Sequence, residues 1–221
     1  MRTVYREQLA DLARQLGEMC ELAGVAMKCA THALLDAEIV SAEQVIREYS
    51  RIVAMRAKVE KEAFALLALQ QPVAGDLRAI FSSIEILGDT ERMGALAVHI
   101  AKIARQEYPK HAVPDEVQGC FANMAKVAIA LSESAKEALV SRDPRKAARL
   151  HEHDDAMDEL YRRLLTVVID RDWQYSVPVG VETALLGRFY ERFADHAVEI
   201  GRRVIFMSTG TLPAEDEIST Y

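Results

Sequence analysis

The sequence predicts an all-α fold of two tandem, sequence-related three-helix bundles, six long helices in all, and three observations carry that prediction. Half of the 221 residues are apolar, while glycine and proline number only ten and six, a composition that suits long helices better than sheets or linkers. Apolar residues recur at helical spacing, beginning with Leu9, Leu12, Leu16, Met19 and Leu22. The third observation is an internal repeat. Glu91-Arg92-Met93-Gly94-Ala95-Leu96-Ala97-Val98-His99-Ile100 matches Glu191-Arg192-Phe193-Ala194-Asp195-His196-Ala197-Val198-Glu199-Ile200 at five of ten positions, 100 residues apart. A second register, at 105, aligns residues 33–50 with 138–155 and sets Met19 on Met124. The extra five residues belong in loops, where repeats accept insertions.

Each element follows from local signals. A first helix is expected over roughly 5–37. A second begins near Ser41, read as its N-cap, and runs to about residue 70. Pro72 and Gly75 break the chain, and Asp76 is placed to cap a third helix that reaches about residue 106. Pro109 and Pro114 punctuate the join between the halves. A fourth helix runs to about Val140. Ser141-Arg142-Asp143-Pro144 then interrupts, with Asp143 as N-cap and Pro144 at the first helical position of a fifth helix that reaches about Asp170. The last runs from about Pro178 to Thr209 and stops at Gly210. Helices of about 30 residues are about 45 Å long, so each half reads as an elongated bundle. The expected division is 1–112, 113–211 and an acidic tail over 212–221 holding Glu215, Asp216 and Glu217.

Charge and composition exclude several functions. The net charge of −7 argues against nucleic acid, because phosphate backbones need a basic stripe to displace counterions. It argues equally against direct attachment to anionic lipid. The acidity is uneven: residues 1–112 hold 14 basic and 15 acidic side chains, residues 113–221 hold 13 and 19. No apolar run approaches the length of about 20 residues that spans a bilayer, and residues 1–7 contain no apolar leader, so a cytoplasmic protein is expected. Cys20, Cys29 and Cys120 are odd in number and lack metal-ligand spacing, as buried thiols in a reducing compartment would.

The chemistry sits in a few acids of the second half. Glu191 and Asp195 are four residues apart, as are Asp154 and Asp158 on the preceding helix, so each pair stands on one helical face. Facing carboxylates repel unless they stay in water, meet arginine or hold a cation, and carboxylates on facing helices are how bundles bind hard metal ions. Arg188 and Arg192 each lie three residues before an acid, so local salt bridges are an equally open reading. No glutamate is followed three residues later by histidine, which disfavours a ferritin-like oxidase. His151 and His153 point to different sides of a helix, and His196 is expected to pack or face solvent. Phosphate-loop, serine-elbow, kinase and Cys-x-x-Cys signatures are all absent.

Two stretches carry a family resemblance. The run Leu185-Leu186-Gly187-Arg188-Phe189-Tyr190-Glu191-Arg192-Phe193-Ala194-Asp195-His196-Ala197, followed by Val204 to Gly210, resembles the carboxy-terminal helix of PhoU proteins. The turn Leu66-Leu67-Ala68-Leu69-Gln70-Gln71-Pro72-Val73-Ala74-Gly75-Asp76-Leu77-Arg78 resembles the same family, and the doubled bundle extends the likeness over roughly residues 5–210. The resemblance implies a non-enzymatic cytoplasmic negative regulator of the phosphate-starvation response. Such a protein links a high-affinity phosphate ABC transporter, through its ATPase, to a sensor histidine kinase, and is often a homodimer.

The resemblance also implies metal. Some members hold iron or zinc clusters on Glu/Asp-x-x-x-Asp motifs, and others carry manganese or magnesium. Carried over, the ligands are Asp154, Asp158, Glu191 and Asp195. The first half departs from the motif: Glu91 is kept, but Ala95 replaces the aspartate, and Tyr49 and Val53 stand where the second half has Asp154 and Asp158. Metal is therefore expected in the second half or nowhere. Two other readings remain: a metal-storage or metal-dependent carboxylate bundle with an enzymatic role, and a plain helical adaptor whose acids are solvated and salt-bridged.

Overall fold

The structure is a computed structural model that describes residues 2–213. The expected acidic tail lies, from residue 214 on, outside the described residues. These residues form seven helices and no strand: α1 (Arg2–Asp36), α2 (Ile39–Gln70), α3 (Gly75–Glu107), α4 (Asp115–Ser141), α5 (Pro144–Ala148), α6 (Leu150–Val168) and α7 (Val177–Thr209). The all-α fold of paired bundles is thus observed, with the fifth expected helix divided at Arg149 into α5 and α6.

The caps refine the reading. Glu38, not Ser41, caps α2: its carboxylate accepts the Ser41 backbone N–H at 3.0 Å, and the helix starts two residues earlier than Ser41. The longer glutamate side chain reaches forward to the orphan donor that a cap must satisfy. Asp76 does not cap α3 either. Gln71 and Ala74 both take positive φ, 46° and 47°, so the chain reverses tightly around Pro72 and the helix begins at Gly75, leaving Asp76 in its first turn beside the positive end of the helix dipole. Asp143 caps α5 as expected, accepting the Arg145 N–H at 2.9 Å with Pro144 next to it. Gly210, at φ 82°, ends α7 in the left-handed conformation that glycine adopts without strain.

Four helices form the centre. α1 packs on α2, α3 and α4; α3 on α1, α2 and α7; α4 on α1, α5, α6 and α7; and α7 on α3, α4, α5 and α6. Their apolar residues accordingly spread over more than one stripe. On α1, Leu12, Leu16, Met19, Cys20, Ala23 and Met27 are all buried. The flanking α6 is one-sided, with Leu150, Met157 and Leu164 inside and Arg162, Arg163 and Thr166 outside.

The halves meet about a pseudo-two-fold relation. α3 and α7 run antiparallel: Glu85 lies 3.8 Å from Arg203, Asp89 bonds His196 at 3.0 Å, and His99 stacks on Phe189. The centre of that register falls at Met93 and Phe193, equivalent residues of the repeat, both fully buried. α1 and α4 also run antiparallel, tied by Lys136 to Glu21 at 2.6 Å and by the Arg142 guanidinium to the Leu9 carbonyl at 2.8 Å. Thr31 of α1 and Tyr190 of α7 share a buried hydroxyl hydrogen bond of 2.7 Å.

Where α1 crosses α4, Gly24 lies against Ser132 so closely that a Cβ would overlap the serine side chain. Gly24→Val is expected to destabilise the protein by about 1–3 kcal/mol through overpacking, more than the few tenths gained in helix propensity. Urea unfolding measures it, and an unchanged midpoint would contradict the α1–α4 contact.

Candidate cation-binding cleft

The acids of the second half are brought together by the register of α6 on α7. Gly187 and Gly201 lack side chains where Leu164 and Leu150 press against α7, so the two helices approach closely. Leu150 opposite Gly201 and Leu164 opposite Gly187 set Asp154 beside Asp195 and Asp158 beside Glu191. All four line one cleft of about 510 Å³, together with Asp89 from α3 and His151, Asp155, Arg192, His196, Glu199 and Arg202.

The four acids differ in environment. Asp158 is exposed at the rim, Asp154 and Asp195 are half-buried, and Glu191 is only 8% exposed. Arg188 bonds Glu191 Oε1, and Arg192 donates to Asp195 Oδ2 at 3.1 Å, so both local salt bridges read from the sequence form. They satisfy only part of the cluster. Glu191 Oε2 and Asp154 Oδ1 are buried without a hydrogen-bond partner among the described residues.

Electrostatics follows from that geometry. Burial, then the charges of Asp195 and Asp158, pushes the Asp154 carboxyl up to about 6. Burial, then Asp195, pushes Glu191 up to about 7 despite Arg188 beside it. Burial also raises Asp195, opposed by Arg192 and Arg188. Like charges in one partly dry cleft disfavour the ionised form.

The donor set suits a hard cation, because two orphaned carboxylate oxygens in one cleft are what such an ion satisfies. With Arg188 and Arg192 folded over their acids, however, no three His, Cys, Asp or Glu groups among the described residues converge on one ion position. An ion there would need a carboxylate to swing away from its arginine.

The first-half counterpart is different in kind. Glu91 is tied to Arg56 of α2 at 2.8 Å, and Gly94 lies beneath Tyr49 and Ile52, so one paired carboxylate faces apolar and phenolic neighbours. His196 packs, the first of the two alternatives read from the sequence, and it does so against α3. Its Nδ1 bonds Asp89 Oδ1, both side chains are 17% exposed, and its Nε2 is buried without a partner among the described residues. Asp89, two residues from Glu91 and so about 200° round the helix from it, lines the second-half cleft. The repeat alone gives no packing direction; once the structure sets the antiparallel centre at Met93 and Phe193, a residue four before the centre on α3 meets one three after it on α7.

The chain matches the model of the PhoU domain twice, over residues 16–104 and 121–204. It belongs to the PhoU family. The first PhoU match runs from within α1 to α3, the second from α4 to α7. The chain is 72% identical over 221 residues, the full length of both, to the Mycobacterium tuberculosis protein named phosphate-specific transport system accessory protein PhoU homolog 1. It is 58% identical to PhoU homolog 2 of the same organism over 213 residues, 96% of this chain and all of the other. Its fold matches the crystal structure of the phosphate transport system regulatory protein PhoU from Streptococcus pneumoniae with a TM-score of 0.86 at 25% identity, covering 95% of this chain and 99% of that one. PhoU from Pseudomonas aeruginosa matches at 0.82, with 26% identity over 94% and 100%.

The raised carboxylates make a stability prediction. In the folded chain Asp154 and Glu191 keep protons to about pH 6 and 7, whereas their ordinary values are 3.8 and 4.5. Across that window the folded state binds more protons, so its stability falls as pH rises. Glu191→Gln removes one of these charges. In metal-free protein its melting temperature relative to wild type is expected to rise between pH 4.5 and pH 7.5, by roughly 2–4 °C per kcal/mol relieved. Scanning calorimetry checks this, and a pH-independent difference would contradict the cluster.

Proposed function

We propose that this protein is an accessory regulator of phosphate-specific transport. It restrains the phosphate-starvation response by coupling a phosphate ABC transporter, through its ATPase, to a sensor histidine kinase, and it uses the second-half cleft as a divalent-cation site. The observation that carries the transport role is full-length identity of 72% to a relative named as a phosphate-specific transport accessory protein. Supporting a non-enzymatic role is the absence of phosphate-loop, serine-elbow, kinase and Cys-x-x-Cys signatures from the sequence. No helix among the described residues is long and apolar enough to cross a membrane. As the family resemblance implies, we assign it to the cytoplasm, where it meets the transporter from the inner face, as a homodimer.

The cation reading rests on the orphaned oxygens of Asp154 and Glu191. A bound divalent ion, iron, zinc, manganese or magnesium, would supply positive charge that offsets carboxylate repulsion. Asp154 and Asp158 would hold it from α6, Glu191 and Asp195 from α7, so occupancy would fix the spacing of those helices. Such a change alters partner binding only if a partner prefers one spacing, which is the requirement for coupling between sites.

The test uses strains lacking this gene, and lacking any second PhoU gene the organism carries, grown in ample phosphate. Transporter genes are expected to be derepressed and to return to basal expression with wild type. Asp154→Asn/Asp195→Asn is expected to restore them incompletely and to retain less metal on purification, read by elemental mass spectrometry. Unchanged expression after loss of every PhoU gene would contradict the regulatory reading. Equal metal in wild type and variant would contradict the site.

A further inference from the structure

The pseudo-two-fold axis between α3 and α7 decides which surfaces share a face. A two-fold that relates two antiparallel neighbours stands normal to the plane holding them, so equivalent residues of α3 and α7 look out on the same side of the molecule. The acidic cleft therefore has a counterpart beside it, between α2 and α3, found through the registers of 100 and 105 residues. There Asp154, Asp155, Asp158, Asp195 and Glu199 correspond to Tyr49, Ser50, Val53, Ala95 and His99. Arg192 and Arg202, by contrast, correspond to cations again, Arg92 and Lys102.

The two patches are opposite in charge. Seven acids line the cleft against two arginines. Among the counterparts of those residues Glu91 is the only acid, and Arg56 holds it. Arg92 and Lys102 are exposed and make no ion pair among the described residues. Burial, then the charges of Lys102 and Arg92, pulls His99 below its ordinary value, with no acid opposing them. Each patch lacks what the other has: one holds the orphaned oxygens of Asp154 and Glu191, the other unpaired cations.

We propose that the protein dimerises through this face, each copy laying its Arg92 and Lys102 on the acidic cleft of a second copy. It is a surface for the homodimer of the functional reading, on which it rests. A two-fold axis lying in the face, at right angles to the line joining the two patches, makes both contacts at once, as a self-complementary interface requires. The other ways of laying like halves together set cation on cation and acid on acid, which opposite potentials select against. α3 and α7 are each 33 residues long. A face two such helices wide measures about 50 Å by about 20 Å, enough for the roughly 800 Å² that a stable association buries on each partner. The cleft, about 510 Å³, has room for the two long side chains, and Asp155 and Asp158 stand exposed at its rim to meet them.

Sedimentation equilibrium of the metal-free full chain tests this, at about 0.15 M salt, where exposed charges are screened beyond about 8 Å. Wild type is expected to dimerise. Arg92→Glu/Lys102→Glu and, separately, Asp155→Lys/Asp158→Lys are each expected to weaken association at least about tenfold, about 1.4 kcal/mol. Lys28→Glu/Lys126→Glu, with the same change in net charge as the first but on the α1–α4 side, is expected to leave it unchanged. Mixing the two weakened variants is expected to restore a dimer of one of each, because opposite charges then meet at both contacts; a misfolded variant could not do this. A monomeric wild type would overturn the homodimer reading and this surface together. A dimer that either reversal leaves intact, a mixture that stays monomeric, or equal loss from Lys28→Glu/Lys126→Glu would overturn the surface alone.

Discussion

The constraint that shapes this molecule is the burial of α7. That helix touches α3, α4, α5 and α6, so little of its surface is left for water, and Tyr190, Phe193, Ala194 and Ala197 are wholly enclosed. A carboxylate on such a helix has nowhere to go. Glu191 is caught between Arg188 and its own acidic neighbours, and burying a charge without full pairing is among the more expensive things a fold does. The cleft therefore concentrates unfavourable energy at the meeting of the two halves, where a cation or a proton would relieve it.

The duplication sets up this arrangement and its asymmetry. Two copies packed antiparallel about Met93 and Phe193 bring α3 of one against α7 of the other, so Asp89 reaches a cleft whose remaining acids belong to the second copy. Within that symmetry the copies have diverged in complementary ways. The second carries the four carboxylates. The first has Tyr49, Val53 and Ala95 at the equivalent positions and pairs Glu91 with Arg56. One half carries an acidic cleft, the other a largely apolar and phenolic counterpart.

Much of this was legible in the sequence, and the misses have physical causes. The helices were visible because their apolar residues recur over many turns, and Asp143-Pro144 and Gly210 marked ends unambiguously through their backbone requirements. The caps at Ser41 and Asp76 were misplaced because capping depends on φ and ψ of the preceding residues, here a glutamate reaching forward and a turn through two left-handed residues. Asp154, Asp158, Glu191 and Asp195 could be paired from spacing alone, since four residues return to the same helical face. The partial claim of Arg188 and Arg192 on them was legible too. What spacing cannot give is the third helix: Asp89 and His196 meet only because of the antiparallel register between halves, which emerges once both copies are folded together.

The central claim is that the strained carboxylates of the second half, and not their first-half counterparts, attract a cation. Anomalous diffraction from crystals grown with manganese tests it most directly. The account predicts an anomalous peak between α6 and α7, against Asp154 and Glu191, with none beside Glu91. Density at Glu91 and Tyr49, or a manganese-saturated crystal with no peak in the second-half cleft, would contradict it.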